Sequence, residues 1–295
     1  MKTSLEHLPP ARQRELERIR DILFEEFESA LSGATSEKKK RGRILKIILF
    51  GSFARGGWVN DRKSGYKSDY DILVIVSAKF LADFQYWDAA EDRLLFDPAI
   101  KHEVQLIIEP LERVNDELAK GQYFFPDIKK DGIALYELKG HELADPKPLN
   151  EAQYLEIAAE YFGERWPDAE QFLKRAGLSP SRKERAARKL DVFLLHQAAE
   201  AAYQTMLLVH TLYSPATHNI KTLRGLAEDL DKRLIEVWPR YHRADKRKFE
   251  LLRRAYVEAR YSKHYEITID ELEWLEARIR VLQDTVEVIC KERLT

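Results

Sequence analysis

Hydrophobic and polar positions divide the chain into two parts with different periodicities. In the first part, short apolar runs alternate with longer segments whose apolar residues recur every three or four positions, which is typical of strands alternating with helices. The short runs predict strands at 44–50, 71–76, 104–108 and 133–136. The longer segments predict helices at 9–31, 81–96 and 111–120.

The second part has helical spacing throughout and contains no strand-like run. It predicts five helices, at 150–176, 182–213, 217–231, 240–262 and 270–293. Asp270 is the predicted N-cap of the last helix, because its side-chain oxygen would accept a hydrogen bond from a free N–H of the first turn. The intervening residues 141–149 contain two prolines and predict a linker. The predicted domains are therefore 1–140 and 150–295.

Composition and charge narrow the class of protein. Hydrophobic residues make up 44% of the 295 residues, which is enough for packed cores, and 12 glycines and 11 prolines are too few for a collagen-like or low-complexity chain. Lys and Arg (49) nearly balance Asp and Glu (50), so any electrostatic attraction of a partner must be local. The single cysteine, Cys290, excludes an intramolecular disulfide framework. Neither a signal peptide nor an apolar stretch of about 20 residues is present, so we expect a cytoplasmic protein without membrane contact.

Two short motifs at the ends of predicted strands carry the candidate chemistry. Gly51 and Ser52 directly follow the first strand. Glycine permits a tight turn, and a helix that begins there would offer free N–H groups and the serine hydroxyl to the phosphates of a nucleotide. Asp69 and Asp71 are two residues apart where the second strand begins, so alternation places both carboxylates on one face. Two such carboxylates repel each other unless a cation lies between them, and Mg²⁺ binds through one or two carboxylates plus substrate phosphates.

The combination of these motifs resembles the nucleotidyltransferase domain of the DNA polymerase β superfamily in its minimal bacterial form. The resemblance implies a small mixed sheet with helices, and transfer of a nucleoside monophosphate from a nucleoside triphosphate to a hydroxyl with two Mg²⁺ ions. It implies that Gly51 and Ser52 hold the triphosphate, and that Asp69 and Asp71 are catalytic residues that bind the metal. Arg55 would reach a phosphate; a solvent-exposed arginine is the alternative for that residue.

Two features of the sequence depart from this family pattern. The separation of Ser52 from Asp69 is long, and residues 58–67 are interpreted as an inserted hairpin or loop. The family usually has a third carboxylate on a later strand, where this sequence has Gln105, which cannot act as a base and adds no negative charge. Glu103 lies two residues earlier on the same face and is the candidate catalytic substitute. An acidic residue at a strand edge, without a catalytic role, is the alternative.

The helical part contains polar side chains at positions that invite two interpretations. His196, Glu200 and Tyr203 share one face of a predicted helix. We interpret them as a hydrogen-bond network between helices, with a pocket lining as the alternative. Residues 240–263 contain nine Lys and Arg against three Asp and Glu, with tyrosines between them. This stretch indicates either a surface that binds RNA or nucleotide phosphates, or a solvated basic helix face.

These helices resemble a HEPN domain, and the whole chain is similar to bacterial proteins in which a minimal nucleotidyltransferase is fused to a HEPN domain. The resemblance implies an all-α bundle, a homodimer formed through it, and a candidate site made of Glu200, Arg260 and His264. HEPN ribonucleases have a longer separation between the arginine and the histidine than the three residues between Arg260 and His264. The spacing therefore resembles the non-nucleolytic type of HEPN domain, for which nucleotide binding is the proposed role.

The sequence thus predicts an α+β chain, with a polymerase β-like domain followed by a HEPN bundle. Its predicted activity is Mg²⁺-dependent transfer of a nucleotidyl group, AMP from ATP, to a hydroxyl of a protein side chain or a small molecule. Two alternatives stay open. Gln105 favours a sensor or regulatory module that binds ATP or GTP with reduced catalysis. Arg260 and His264 motivate a HEPN ribonuclease of a toxin–antitoxin type system that acts on RNA.

Overall fold

The chain forms two compact units that divide between Leu149 and Asn150. The computed structural model describes residues 1–32, 36–61, 66–121, 124–147, 149–178 and 182–295. The first unit, with residues 1–60 and 67–149, combines a small sheet with helices. The second unit includes residues 150–295, and its described secondary structure is helical. This architecture confirms the mixed α+β class and the division into a sheet-containing part and a helical part.

A four-stranded sheet forms the centre of the first unit. The described strands are β1 (Ile44–Phe50), β2 (Asn60–Asp61), β3 (Tyr66–Lys67), β4 (Tyr70–Val76), β5 (Val104–Pro110) and β6 (Ile133–Glu137). In the main sheet the order is β5-β4-β1-β6, with β4 parallel to β5 and β1 antiparallel to both of its neighbours. Every residue of β1 and β4 is buried, because both are central strands, and this explains their nearly continuous apolar sequences.

Six described helices accompany the sheet. They are α1 (Pro10–Leu31), α2 (Glu37–Lys40), α3 (Gly51–Arg55), α4 (Asp88–Phe96), α5 (Leu111–Lys120) and α6 (Phe124–Asp131). Helix α1 begins after Pro9 with a proline at its first position, where the missing N–H has no intrahelical partner to lose. Its apolar stripe, which includes Leu16, Ile19 and Leu23, joins the same buried cluster as Ile47 of β1. The helix therefore covers one face of the sheet.

The segment predicted as one helix, 81–96, is divided into three pieces. Two 3₁₀ turns, Lys79–Ala82 and Phe84–Tyr86, precede α4. Asp83 has an extended backbone between the turns, and the buried Trp87 donates its indole N–H to the carbonyl oxygen of Leu81 at 2.6 Å. A 3₁₀ helix repeats every three residues and an α-helix every 3.6 residues. Over so short a segment, the two repeats place apolar side chains at nearly the same positions, so the apolar pattern did not distinguish 3₁₀ turns from an α-helix.

One charged side chain lies inside the sheet. Lys46 of β1 is fully buried, and its ammonium group forms an ion pair with Glu137, its register partner on the edge strand β6. An unpaired ammonium in this position would lose its hydration without compensation, which costs several kcal/mol. The pair therefore makes a lysine compatible with the interior of a central strand.

The second unit contains long helices around a central one. The described helices are α7 (Glu151–Ala176), α8 (Arg185–Thr211), α9 (Ile220–Leu230), α10 (Arg243–Tyr261) and α11 (Ile269–Leu294). Helix α8 contacts the other four helices, and more of its residues are buried than in any of them. The hydroxyl of Tyr203 in α8 accepts a hydrogen bond from the indole N–H of Trp238 at 2.7 Å, and both side chains are buried. Within the described part of the chain, no helix combines the length and the apolarity that a membrane crossing requires.

The N-cap of α11 is Thr268, so the predicted cap Asp270 is wrong. The Thr268 hydroxyl accepts a hydrogen bond from the backbone N–H of Glu271 at 3.2 Å, and the Glu271 carboxylate accepts one from the backbone N–H of Thr268 at 2.9 Å. This reciprocal arrangement is a capping box, and it satisfies two N–H groups, whereas a cap at Asp270 would satisfy one. The threonine followed three residues later by a glutamate was a readable signal for it.

We predict that Thr268→Ala lowers the free energy of unfolding of the helical unit by about 1 kcal/mol, because the capping hydrogen bond is lost. Asp270→Ala is the matched control; it removes only the attraction of a first-turn carboxylate for the helix dipole, about 0.5 kcal/mol. Urea denaturation followed by circular dichroism measures both. Equal losses in the two variants would contradict the assignment of Thr268 as the cap.

Candidate functional site

The strand register brings three sequence-predicted elements to one end of the sheet. Phe50, the last residue of β1, is the antiparallel partner of Asp71 in β4. Asp71 is in turn the parallel partner of Gln105 in β5. Because Gly51 directly follows Phe50, the turn that leaves β1 lies beside the strand that carries the aspartate. The sheet therefore collects the motifs predicted from the sequence in one place.

The turn after β1 depends on glycine. Gly51 has a φ of 70°, in the left-handed region that other residues rarely adopt, and it begins the short helix α3. Ser52 is buried in this helix, and Arg55 ends it with an exposed side chain. Gly56 then closes the helix with a φ of 75°. The backbone thus makes two sharp turns within six residues, and it places Gly51, Ser52 and Arg55 together at the end of β1.

Asp69 and Asp71 lie at the beginning of β4. Asp71 is buried with 4% exposure, whereas Asp69 is half-buried and precedes the strand by one residue. Residues two apart on an extended backbone project to the same face, so both carboxylates lie on one face of the sheet, where the central strand β4 begins. Carboxylate oxygens are hard ligands, and this donor set fits Mg²⁺ together with phosphate oxygens. The residues that are present therefore match the metal that the sequence predicts.

The third position of the candidate site holds an amide. The side-chain N–H of Gln105, which is buried, donates a hydrogen bond to Oδ2 of Asp69 at 3.3 Å. Glu103 has an exposed side chain, while its backbone carbonyl accepts a hydrogen bond from the N–H of Tyr70 at 2.7 Å. Among the described residues, no three Asp, Glu, His or Cys side chains form a group suited to a metal ion. The structure thus brings Gln105 to the aspartates, and the catalytic role of Glu103 stays a prediction.

Buried contacts anchor the residues on either side of Asp69. The ring Nδ1 of His102 donates a hydrogen bond to the carbonyl oxygen of Ser68 at 2.7 Å. The hydroxyl of Tyr70 donates to Oε2 of Glu15 in α1 at 3.0 Å. Burial lowers the pKa of His102, so the ring is neutral at pH 7, and burial together with the charge of Glu15 raises the pKa of Tyr70. These contacts hold the start of β4 in place, and the sequence analysis did not identify His102.

The insertion between the two motifs contains a pair of short strands. Strands β2 and β3 are hydrogen-bonded neighbours, as the hairpin interpretation of residues 58–67 requires, and residues 62–65 lie outside the described part. At its base, the N–H and carbonyl of Val59 bond to the hydroxyl and the N–H of Ser68, both at 2.9 Å. The added residues therefore return the chain directly to Asp69.

In the helical unit, the buried carboxylate of Glu200 is the centre of a polar cluster that reaches the exposed His218. Its carboxylate accepts a hydrogen bond from Nδ1 of His218 at 3.0 Å and one from the side-chain amide of Gln197 at 3.2 Å. His196, one turn earlier on α8, lies 3.6 Å from the same carboxylate. Burial raises the pKa of Glu200, and the hydrogen bonds oppose this rise. As the network interpretation of the polar face predicts, Glu200 and Tyr203 form hydrogen bonds with residues outside α8, namely His218 and Trp238.

Arg260 belongs to the same cluster, but His264 does not. The ring of Tyr256 stacks on His218 with centroids 4.0 Å apart, and the guanidinium carbon of Arg260 lies 4.3 Å from the Tyr256 centroid. Helix α10 ends at Tyr261, so the helical stripe that would have carried His264 stops before it. The described contacts of His264 are limited to a backbone hydrogen bond with the Ser262 hydroxyl. His218 therefore lies beside Glu200, and the Tyr256 ring contacts both His218 and Arg260.

The chain is similar to a known domain family and to a known protein. The HEPN domain family matches residues 163–289, within the helical unit. The chain is also 33% identical over 113 residues to a protein of Methanocaldococcus jannaschii named "Putative protein adenylyltransferase MJ0604". That match covers 38% of this chain and 94% of the relative.

The buried histidine of the helical cluster predicts a pH dependence of stability. Burial lowers the pKa of His196 from 6.5 to about 3, so the folded chain accepts this proton less readily than the unfolded chain. Stability is therefore complete above pH 6.5 and is lost as the pH falls below it. Between pH 7 and pH 5 the loss from this residue is about 2 kcal/mol.

We predict that His196→Phe flattens the decline in unfolding free energy between these pH values by that amount. Denaturation curves of the full chain at several pH values measure the slope. His264→Ala, which changes an exposed histidine of the same unit, is the control and leaves the slope as in the unmodified chain. A slope unaltered by His196→Phe would show that the buried ring accepts its proton without a folding penalty.

Proposed function

Because the chain belongs to the family of minimal nucleotidyltransferases and carries a HEPN domain, we propose that it transfers AMP from ATP to a hydroxyl group of a protein side chain or a small molecule. The observation that supports this proposal is the convergence of the Gly51 turn with Asp69 and Asp71 at one end of the sheet. The name of the Methanocaldococcus relative favours an adenylyl group as the group transferred.

Each residue at this end of the sheet has a role in the proposed reaction. Asp69 and Asp71 would hold Mg²⁺, whose bound form neutralises the triphosphate and aligns it for displacement. Gly51 and Ser52 would hold the triphosphate, since the positive φ of Gly51 lets the backbone approach a ligand closely. Arg55, exposed at the end of α3, would contribute a positive charge to a phosphate.

The reaction is an in-line displacement at the α-phosphorus of ATP. The acceptor oxygen forms a bond to this phosphorus, and the bond between the phosphorus and the oxygen that bridges to the β-phosphate breaks. Pyrophosphate leaves with the electron pair of that bond. The proton of the acceptor hydroxyl passes to a base, for which Glu103 is the predicted group. The rest of the catalysis consists of positioning and charge neutralisation.

A second candidate function rests on Gln105. A neutral amide replaces a carboxylate that would draw a proton or a cation, so the chain would bind a nucleotide without turning it over and would act as a sensor or regulatory module. Tight binding of ATP or GTP by calorimetry, with no label transferred to any acceptor, would favour this function over transfer.

We predict that incubation with Mg²⁺ and ATP labelled at the α-phosphate labels an acceptor, and that Asp69→Asn/Asp71→Asn lowers the rate of labelling by about 100-fold or more. The reason is that neutral side chains no longer hold the cation that stabilises several kcal/mol of developing charge. The first assay tests labelling of the chain itself, and the second adds small-molecule alcohols as acceptors.

The matched control is Asp83→Asn/Asp116→Asn, which removes two exposed carboxylates of the same unit and should label like the unmodified chain. Circular dichroism verifies that both double variants are folded. Equal labelling by the Asp69→Asn/Asp71→Asn variant and the unmodified chain would exclude this mechanism.

A further inference from the structure

Gln105 is placed to act on both aspartates of the candidate metal site. It lies on β5 directly beside Asp71 in the register, and its side chain is buried with 5% exposure. Its amide N–H donates to Oδ2 of Asp69 at 3.3 Å. Asp69 is half-buried and precedes β4, and a carboxylate that receives this hydrogen bond has fewer orientations than one that contacts solvent alone. The amide therefore fixes which oxygens of Asp69 face the site.

The chemistry of the amide limits how many cations the site can hold. An N–H group carries partial positive charge, so the side of Gln105 that faces Asp69 repels a cation, and the amide brings no net negative charge. Asp69 and Asp71 together supply two negative charges. A pair of divalent ions a few ångströms apart needs bridging anionic ligands to offset their mutual repulsion, and the described residues add no third Asp, Glu, His or Cys to this pair.

We propose that Gln105 is a positioning residue that orients Asp69, and that the site consequently binds one divalent cation with each nucleoside triphosphate rather than two. This inference rests on the proposed function, because it specifies how the same site binds its metal. In this proposal the single ion binds the triphosphate, and side chains of the protein position the acceptor hydroxyl.

Metal stoichiometry tests this proposal without reference to activity. The full chain is dialysed to equilibrium against Mn²⁺ and the α,β-methylene analogue of ATP, and both bound species are quantified. Electron paramagnetic resonance then shows whether bound Mn²⁺ ions are close enough to couple. We expect one Mn²⁺ per bound analogue in the unmodified chain and no Mn–Mn coupling.

Variants at position 105 separate the orientation of Asp69 from the charge of the site. Gln105→Met removes the amide at similar volume, and we expect it to bind one ion about 10-fold more weakly, as is usual when a group that orients a metal ligand is lost. Gln105→Glu supplies a third carboxylate, and we expect two coupled ions per analogue. Gln85→Glu adds the same charge at an exposed position of the same unit and should behave as the unmodified chain.

Each result bears on the proposal. Two coupled Mn²⁺ ions in the unmodified chain would overturn it, and this measurement needs no variant to fold. Unchanged affinity in Gln105→Met, or a single ion in Gln105→Glu with native circular dichroism, would overturn it as well. If the unmodified chain binds neither the analogue nor Mn²⁺, the proposed function fails and this inference fails with it, whereas binding of two ions leaves the proposed function intact.

Discussion

The register of three neighbouring strands is the constraint on which the candidate site depends. Phe50, Asp71 and Gln105 are adjacent on β1, β4 and β5 only in the observed pairing. A shift of β5 by one residue would turn its side chains to the opposite face and remove Gln105 from Asp69, whereas a shift of β1 would displace the Gly51 turn from Asp71. The apolar residues of these strands fix the register by their burial, so the contacts that stabilise the sheet also determine the geometry of the polar groups at its end.

The helical unit uses packing in a comparable way to assemble a polar cluster. Glu200 comes from α8, His218 from the segment before α9, and Tyr256 and Arg260 from α10. A buried carboxylate with a raised pKa requires such partners, since burial without hydrogen bonds would be costly.

The sequence predicted the positions of the helices and strands better than it predicted the side-chain contacts between them. The apolar runs located all four strands of the main sheet, and the structure brings the Gly51 and Asp69 motifs to one end of that sheet. Helix α6 was not predicted; it contains Pro126 in its first turn, where a proline is tolerated. The hydrogen bond from Gln105 to Asp69 depends on strand pairing. The position of His264 outside the cluster around Glu200 depends on where α10 ends. Neither of these follows from spacing along the chain.

The ion pair between Lys46 and Glu137 has a consequence for the outer strand β6. An edge strand offers free backbone groups and can slide along its neighbour or recruit a foreign strand. Here sliding by one position would separate the carboxylate from an ammonium group that has no access to water. The lysine thus favours one register of β6 on β1. In any shifted register the sheet would contain an unpaired charge in its interior, and in the observed register it does not. A shifted pairing of β6 with β1 is therefore energetically unfavourable.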